Sequence, residues 1–166
     1  MKFRTIMIVG LVALVAIIAV IALIATQLTP QATSPAFTAA VDFVNAAGTG
    51  DDTTALALLD ENMRTYVATS CPEGSPSACI QSYAAPDWGK LVTAVFRRAA
   101  PDGANWDVEV IAHHEAGVGA SGICSMIHVV PNGERWQVAG WAGFIHCGSP
   151  QSRDMATNPD TPNRAP

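Results

Sequence analysis

The chain has 166 residues, four cysteines and a formal net charge of −5, with 49% hydrophobic and only 14% charged side chains. An acidic chain lacks the Lys/Arg surplus that neutralises phosphates, which excludes nucleic acid as a partner and disfavours anionic lipid. No Cys-x-x-Cys pair occurs, so a thioredoxin-like redox site and a zinc ribbon both lack their signature.

Residues 1–5 form a leader carrying Lys2 and Arg4. Behind it, residues 6–25 (IMIVGLVALVAIIAVIALIA) hold no charge, no proline and no amide side chain. As a helix, this run spans roughly 30 Å, the thickness of a bilayer hydrocarbon core, and satisfies its own backbone hydrogen bonds there. A secretory signal has a shorter apolar region, about 7–15 residues, followed by a small-residue cleavage site, and the sequence near Ala25 or Ala32 fits that rule poorly. The expectation is a retained transmembrane anchor over 6–26. The positive leader places the N-terminus in the cytoplasm and the remainder outside the plasma membrane, periplasmic or at the cell surface. Gly10, Ala13, Ala16, Ala19 and Ala22 recur every third residue, and small side chains allow a partner helix close approach. A period of three drifts about 60° per step on a 3.6-residue helix, so this series also reads as a ridge that winds without forming one face.

A spacer follows at 27–34, then an extracytoplasmic domain at 35–147 and a polar, Pro-rich tail at 148–166 that is expected to lack fixed structure. Beyond the leader lie seven Lys/Arg and fourteen Asp/Glu, a net charge of −7. All four cysteines, Cys71, Cys79, Cys124 and Cys147, are in this part, an even count suited to an oxidising compartment.

The domain begins with a well-marked helix: Ser34 as N-cap, Pro35 in the first turn, and Phe37, Ala40, Val41, Val44 and Ala47 on one face, ended by Gly48-Thr49-Gly50. Asp51 or Asp52 caps a second helix with Ala55, Leu58 and Leu59 inward, and Asp60-Glu61 opens a third turn carrying Met63, Tyr66 and Val67. The loop 70–86 brings Cys71 and Cys79 within bridging reach through its Gly and Pro residues. From residue 88 the pattern becomes strands over 91–98, 106–114, 123–130 and 135–145, a four-stranded antiparallel meander. Trp106, Val108, Val110, Ala112 and His114 share one face of the second strand, and Asp107, Glu109, Ile111, His113 and Glu115 share the other, as in a sheet covered on one side. Helices first and strands later make an α+β domain with the helices on one face of a curved sheet.

The last hairpin bears on the second disulfide. A two-residue loop at Asn132-Gly133 sets Val130 opposite Arg135 and Cys124 opposite Trp141, leaving Cys147 about 20 Å further along. A Cys124–Cys147 bond then requires a bulge or a chain that curls back, and Cys71–Cys147 with Cys79–Cys124 stays open.

Phe37, the Phe43-Val44-Asn45-Ala46 segment, the short Gly/Asp break, Ala55 with Leu58-Leu59, and the closing Gly133-Glu134-Arg135-Trp136-Gln137-Val138-Ala139-Gly140-Trp141 together resemble the nuclear transport factor 2-like superfamily of SnoaL-like and ketosteroid-isomerase-like proteins. The resemblance covers residues 35–144. It implies a cone-like fold around an apolar pocket, with a homodimer as a common state, and many membrane-anchored bacterial members without a catalytic role. The family's catalytic carboxylate or histidine positions do not map onto this sequence.

On residue pattern alone, His114 is the best pocket-facing ionisable group, with Tyr66 a neighbour from the helical layer. A structural histidine at the strand end, hydrogen-bonded at the rim, is the favoured reading of His114. His113 and Glu115 share the outer face but lack a third ligand, and His128 and His146 read as packed or solvated, so no metal or cofactor site is assigned. The expected function is a non-catalytic accessory subunit of an envelope membrane complex, docking through the anchor and the exposed part of a sheet rich in Trp106, Trp136 and Trp141. The alternative is an enzyme or small-molecule binder that uses the pocket.

Overall fold

The structure, a computed structural model, describes residues 14–20, 34–117, 123–147 and 163–164. Residues 1–31 and 32–166 form two separate units. Of the apolar run at 6–25 only 14–20 is described, as helix, with Leu14, Val15, Ile17, Ile18 and Val20 each more than half exposed. No helix among the described residues is long and apolar enough to cross a membrane. The rest of the expected anchor, Gly10, Ala13 and Ala22 included, lies outside the described residues.

The second unit is α+β. Four helices come first: α1 (Pro35–Thr49), α2 (Asp52–Leu58), α3 (Glu61–Ser70) and α4 (Pro76–Gln81). They are followed by an antiparallel meander of β1 (Leu91–Asp102), β2 (Asn105–His114), β3 (Ile123–Asn132) and β4 (Arg135–His146), in the order 1-2-3-4. A two-residue strand, β5 (Asn163–Arg164), pairs parallel to β4 at Trp141 and Ala142. The remainder of the polar tail is outside the described residues.

The helix boundaries follow the sequence closely. Ser34 is the N-cap of α1, although its backbone carbonyl, not its hydroxyl, takes the first helical hydrogen bonds, and Pro35 needs no donor there. Asp51 and Asp60 accept from the backbone N–H groups of Thr54 and Met63 and so cap α2 and α3. Helix α1 runs through Gly48 to Thr49, and the glycine has a packing reason: a Cβ there would lie 2.0 Å from Leu91 Cδ2 at the start of β1.

Burial on α1 is wider than the expected stripe. Phe37, Ala40, Val44 and Ala47 are inside, but so are Ala36, Ala39, Phe43 and Ala46. The helix lies between the sheet and helices α2 and α4, touching all four long strands. Phe37 stacks on Phe96 at 4.9 Å and meets Trp106 edge-on at 5.2 Å, while Phe43 packs on Trp141 at 5.0 Å. Burying an apolar side chain of this size contributes about 1.5–3 kcal/mol, which favours a fold that encloses this helix on several sides.

Both sheet edges are met by side chains or short segments. On β1, the backbone N–H of Ala94 donates to Asn45 Oδ1 at 2.6 Å, and Asn45 Nδ2 donates to the Ala94 carbonyl at 3.4 Å. The amide thus replaces one residue of a neighbouring strand. On β4, Leu59 forms a single parallel bridge with Val138, the Asp60 N–H donates to the Val138 carbonyl, and Gln137 Nε2 donates to the Leu59 carbonyl.

The register of the last hairpin differs from expectation. Its loop residues are Gly133-Glu134, with Asn132 opposite Arg135, and Gly133 supplies φ +63°, as Gly103 supplies φ +61° in the β1–β2 turn. Two bulges, between His128 and Val129 and between Cys124 and Met126 on the β3 side, each add one residue to β4. They fall in the Ala-Gly-Trp-Ala-Gly stretch at 139–143, where small side chains tolerate a bend. Cys124 therefore faces Ile145 instead of Trp141. Cys147, two residues on, comes within 4.9 Å (Cα–Cα) and is disulfide-bonded to it. Cys71 and Cys79 are bonded with a Cα separation of 5.1 Å, as the loop composition led one to expect.

Asn45→Ala leaves the Ala94 N–H and carbonyl without their partner, and should lower unfolding free energy by about 1–2 kcal/mol in urea titration and speed amide exchange at Ala94. Asp52 accepts from the Ser77 N–H at 2.9 Å and the Ser77 hydroxyl at 2.5 Å, tying α2 to α4. Burial alone raises the Asp52 carboxyl, but hydrogen bonds from Ser75 and Ser77 outweigh it and hold the pKa below the ordinary carboxylate value. A depressed folded pKa gives stability that is present above the unfolded value, about 3.9, and lost as pH falls through the folded one. The stability gap between wild type and Asp52→Asn should therefore be about 1–2 kcal/mol at neutral pH and close progressively below about pH 4 in urea titrations.

Candidate functional site

Two places on the domain concentrate polar chemistry, one at the end of the sheet and one on the face away from the helices. The first is a cleft of about 810 Å³ lined by Gly48 and Thr49 of α1, Ile80 and Gln81 of α4, the segment 84–86, Gly89 to Leu91, and His114 and Glu115. His114 is 6% exposed and meets the Trp88 ring edge-on at 5.3 Å. Tyr66 is not among the described lining residues; its ring packs against Trp141 at 6.4 Å. The structure thus places the two candidate residues in different surroundings. Glu115, exposed, accepts from the Lys90 N–H at 3.1 Å, and so holds the cleft rim by a backbone contact. Tyr83, close to α4, donates its hydroxyl to Cys79 Sγ at 3.6 Å. Burial, followed by the nearby Tyr66, pushes its pKa up, so the phenol stays protonated across the biological range.

The tryptophans do not form an exposed docking face. Trp141 is 1% exposed, and Trp106 and Trp136 are half-buried against the core. The large apolar side chains exposed in this unit, among the described residues, are Val92 and Val95 on β1.

The second place is the outer face of β2, where a solvated surface was expected. Asp107 and Glu109 are each only 2% exposed. A buried carboxylate requires a hydrogen-bond partner, and each has one. Glu109 Oε2 accepts from Arg98 Nε at 2.5 Å and from Arg97 Nη1. Two consecutive arginines reach one oxygen because a bulge between Phe96 and Arg98 breaks the alternation of β1. The run Phe96-Arg97-Arg98-Ala99 carries that signal in the sequence, since adjacent charges in a half-buried strand point to opposite faces unless the strand is bulged.

Beside this pair, His128 Nδ1 donates to Asp107 Oδ1 at 2.8 Å across the β2–β3 ladder, in which the two residues are direct partners. His128 is 9% exposed, a packed histidine rather than a solvated one. Asp102, exposed at the end of β1, brings a carboxylate to the same place: one donor atom from each of Asp102, Asp107 and His128 lies within 4.8 Å of the other two. Glu109, Cys124 and Cys147 also converge, but both sulfurs are spent in the disulfide. The side chain of His146 lies outside the described residues.

No known protein family, curated protein or solved structure matches the chain.

The arginine pair sets a measurable non-additivity. The Arg97 and Arg98 side chains are 36% and 55% exposed, so removing either leaves the other on Glu109 and should cost no more than about 1 kcal/mol. Removing both strands a buried charge, and Arg97→Ala with Arg98→Ala should cost about 3–5 kcal/mol. Urea denaturation of the four-member cycle measures the excess over the sum of the singles.

Proposed function

We propose that this chain is a membrane-anchored extracytoplasmic module of the nuclear transport factor 2-like, cone-shaped type, serving as a non-catalytic accessory subunit of an envelope membrane complex. The observation that carries the reading is the pair of disulfides, which consumes all four cysteines of the chain and requires an oxidising compartment. These cysteines follow an uncharged apolar run of bilayer length, which supports a single-pass anchor with the domain outside the plasma membrane. Helices first, a meander after, and four bulges that bend β1 and β4 support the cone. The non-catalytic reading is supported by the engagement of the strongest ionisable groups with one another: Glu109 with two arginines, Asp107 with His128, Glu115 with the Lys90 backbone.

Docking then falls to the anchor, with its series of small residues, and to β1 beyond the Asn45 clamp, where Val95 is 39% exposed. A second reading, a small-molecule binder, rests on the cleft that places His114 among Gln81, Lys90 and apolar side chains.

Isolation from native membranes in mild detergent separates the two. The accessory-subunit reading predicts other membrane proteins in fixed stoichiometry, retained in His114→Ala and weakened in Val95→Glu. A monomer or homodimer purified alone contradicts it and moves attention to the cleft.

A further inference from the structure

The Asp102, Asp107 and His128 cluster is not required by the accessory-subunit reading, and its chemistry is more specific than that of a surface charge group. We propose that these three residues form a binding site for a divalent transition-metal ion, with Zn²⁺ the best fit among common ions. Two of the three donors are interior side chains, one carboxylate and one imidazole, with exposures of 2% and 9%. They stand on adjacent central strands as direct ladder partners, and the tight Gly103-Ala104 turn returns β1 to β2 so that Asp102 closes the set from a third position. A rigid sheet therefore holds two donors in advance of binding, and an exposed residue at the strand end provides both the third donor and the entry path.

The distances suit an ion. Metal–oxygen and metal–nitrogen bonds of about 2.0–2.2 Å place neighbouring donors roughly 3–3.6 Å apart. His128 Nδ1 and Asp107 Oδ1 are 2.8 Å apart, slightly inside that spacing, so the pair opens a little to admit an ion, and the three donor atoms lie within 4.8 Å of one another. Asp102 closes on the pair by a rotamer adjustment, which its exposed place at the strand end permits. Without metal, His128 Nδ1–H and the Asp107 carboxylate satisfy each other; on binding, the neutral imidazole carries its proton on Nε2 instead, and the freed Nδ1 lone pair and the Asp107 oxygen both turn to the ion.

The charge and donor types point the same way. Two carboxylates and a neutral imidazole carry −2, which a divalent cation cancels. Two oxygens and one nitrogen suit Zn²⁺, whereas Ca²⁺ takes six to eight oxygen ligands and Mg²⁺ favours carboxylates and water. Three protein ligands leave a coordination position for water or for a group supplied by another molecule.

The test is calorimetric titration of ZnCl₂ into full-length, untagged, disulfide-intact protein in detergent after removal of metals with chelator. The expected result is one Zn²⁺ per chain, bound at least tenfold more weakly by Asp102→Asn and without detectable heat in His128→Gln. Asp102 is exposed, so its variant should stay folded without metal, and at one Zn²⁺ concentration the wild type should gain more melting temperature than the variant. Absence of Zn²⁺ binding by folded wild type overturns the proposal. Binding of equal strength in wild type and both variants overturns it as well, since the ion then sits elsewhere.

Discussion

Eight of the fifteen residues of α1 are buried, and that one helix touches every long strand of the meander as well as α2 and α4. The rest of the domain is arranged to make such enclosure possible. Alanines at 36, 39, 40, 46 and 47 keep the helix thin where neighbours approach, and Phe37 and Phe43 fill the space at two separate aromatic contacts. Close approach has a local requirement too, since any side chain at Gly48 collides with Leu91. The same helix contributes Asn45, whose amide occupies the outer edge of β1 at Ala94. Packing and edge protection thus come from one element, and loss of α1 exposes both the core and a hydrogen-bonding edge.

The opposite face of the sheet is held by other means. β2 buries Val108, Val110 and Ala112 toward the helices and Asp107 and Glu109 away from them. Buried charge is a costly way to cover a face, and its value lies in fixing geometry when each group has a partner. Here the partners depend on irregularities of the strands: a bulge in β1 aligns Arg97 and Arg98, and two bulges in β4 carry its end to where Cys147 reaches Cys124. Curvature and polar satisfaction are therefore coupled, because a straight β1 presents one arginine to Glu109 and a straight β4 leaves the cysteines apart.

This coupling explains what the sequence discloses and what it conceals. The helix caps at Asp51 and Asp60, the Pro35 start, the four strands and the local Cys71–Cys79 bond follow from signals within a few residues of one another. The apolar face of β2 follows from strict alternation. The second disulfide does not, because register is a sum over the turn and every bulge: a loop displaced to Gly133-Glu134 and two added residues move the partner of Cys124 four places along β4. The buried Asp107–His128 pair is hidden for a related reason. A charged residue on a strand reads as solvated until its cross-strand partner is known, and that partner is 21 positions away. His114 was the residue that pattern favoured, and it lines a cleft, but Tyr66 packs elsewhere. The uncharged apolar run at 6–25 is legible from composition alone, and most of it lies outside the described residues.

The two disulfides depend both on an oxidising compartment and on the bulged register that brings Cys147 to Cys124. Peptide mapping under non-reducing conditions, on protein trapped with a thiol-blocking reagent at the moment of lysis from native membranes, tests both most directly. The expected result is two linked peptide pairs, Cys71 with Cys79 and Cys124 with Cys147, and no blocked cysteine. Blocked thiols at these positions contradict the extracytoplasmic placement, and a Cys71–Cys147 or Cys79–Cys124 linkage contradicts the register of β4.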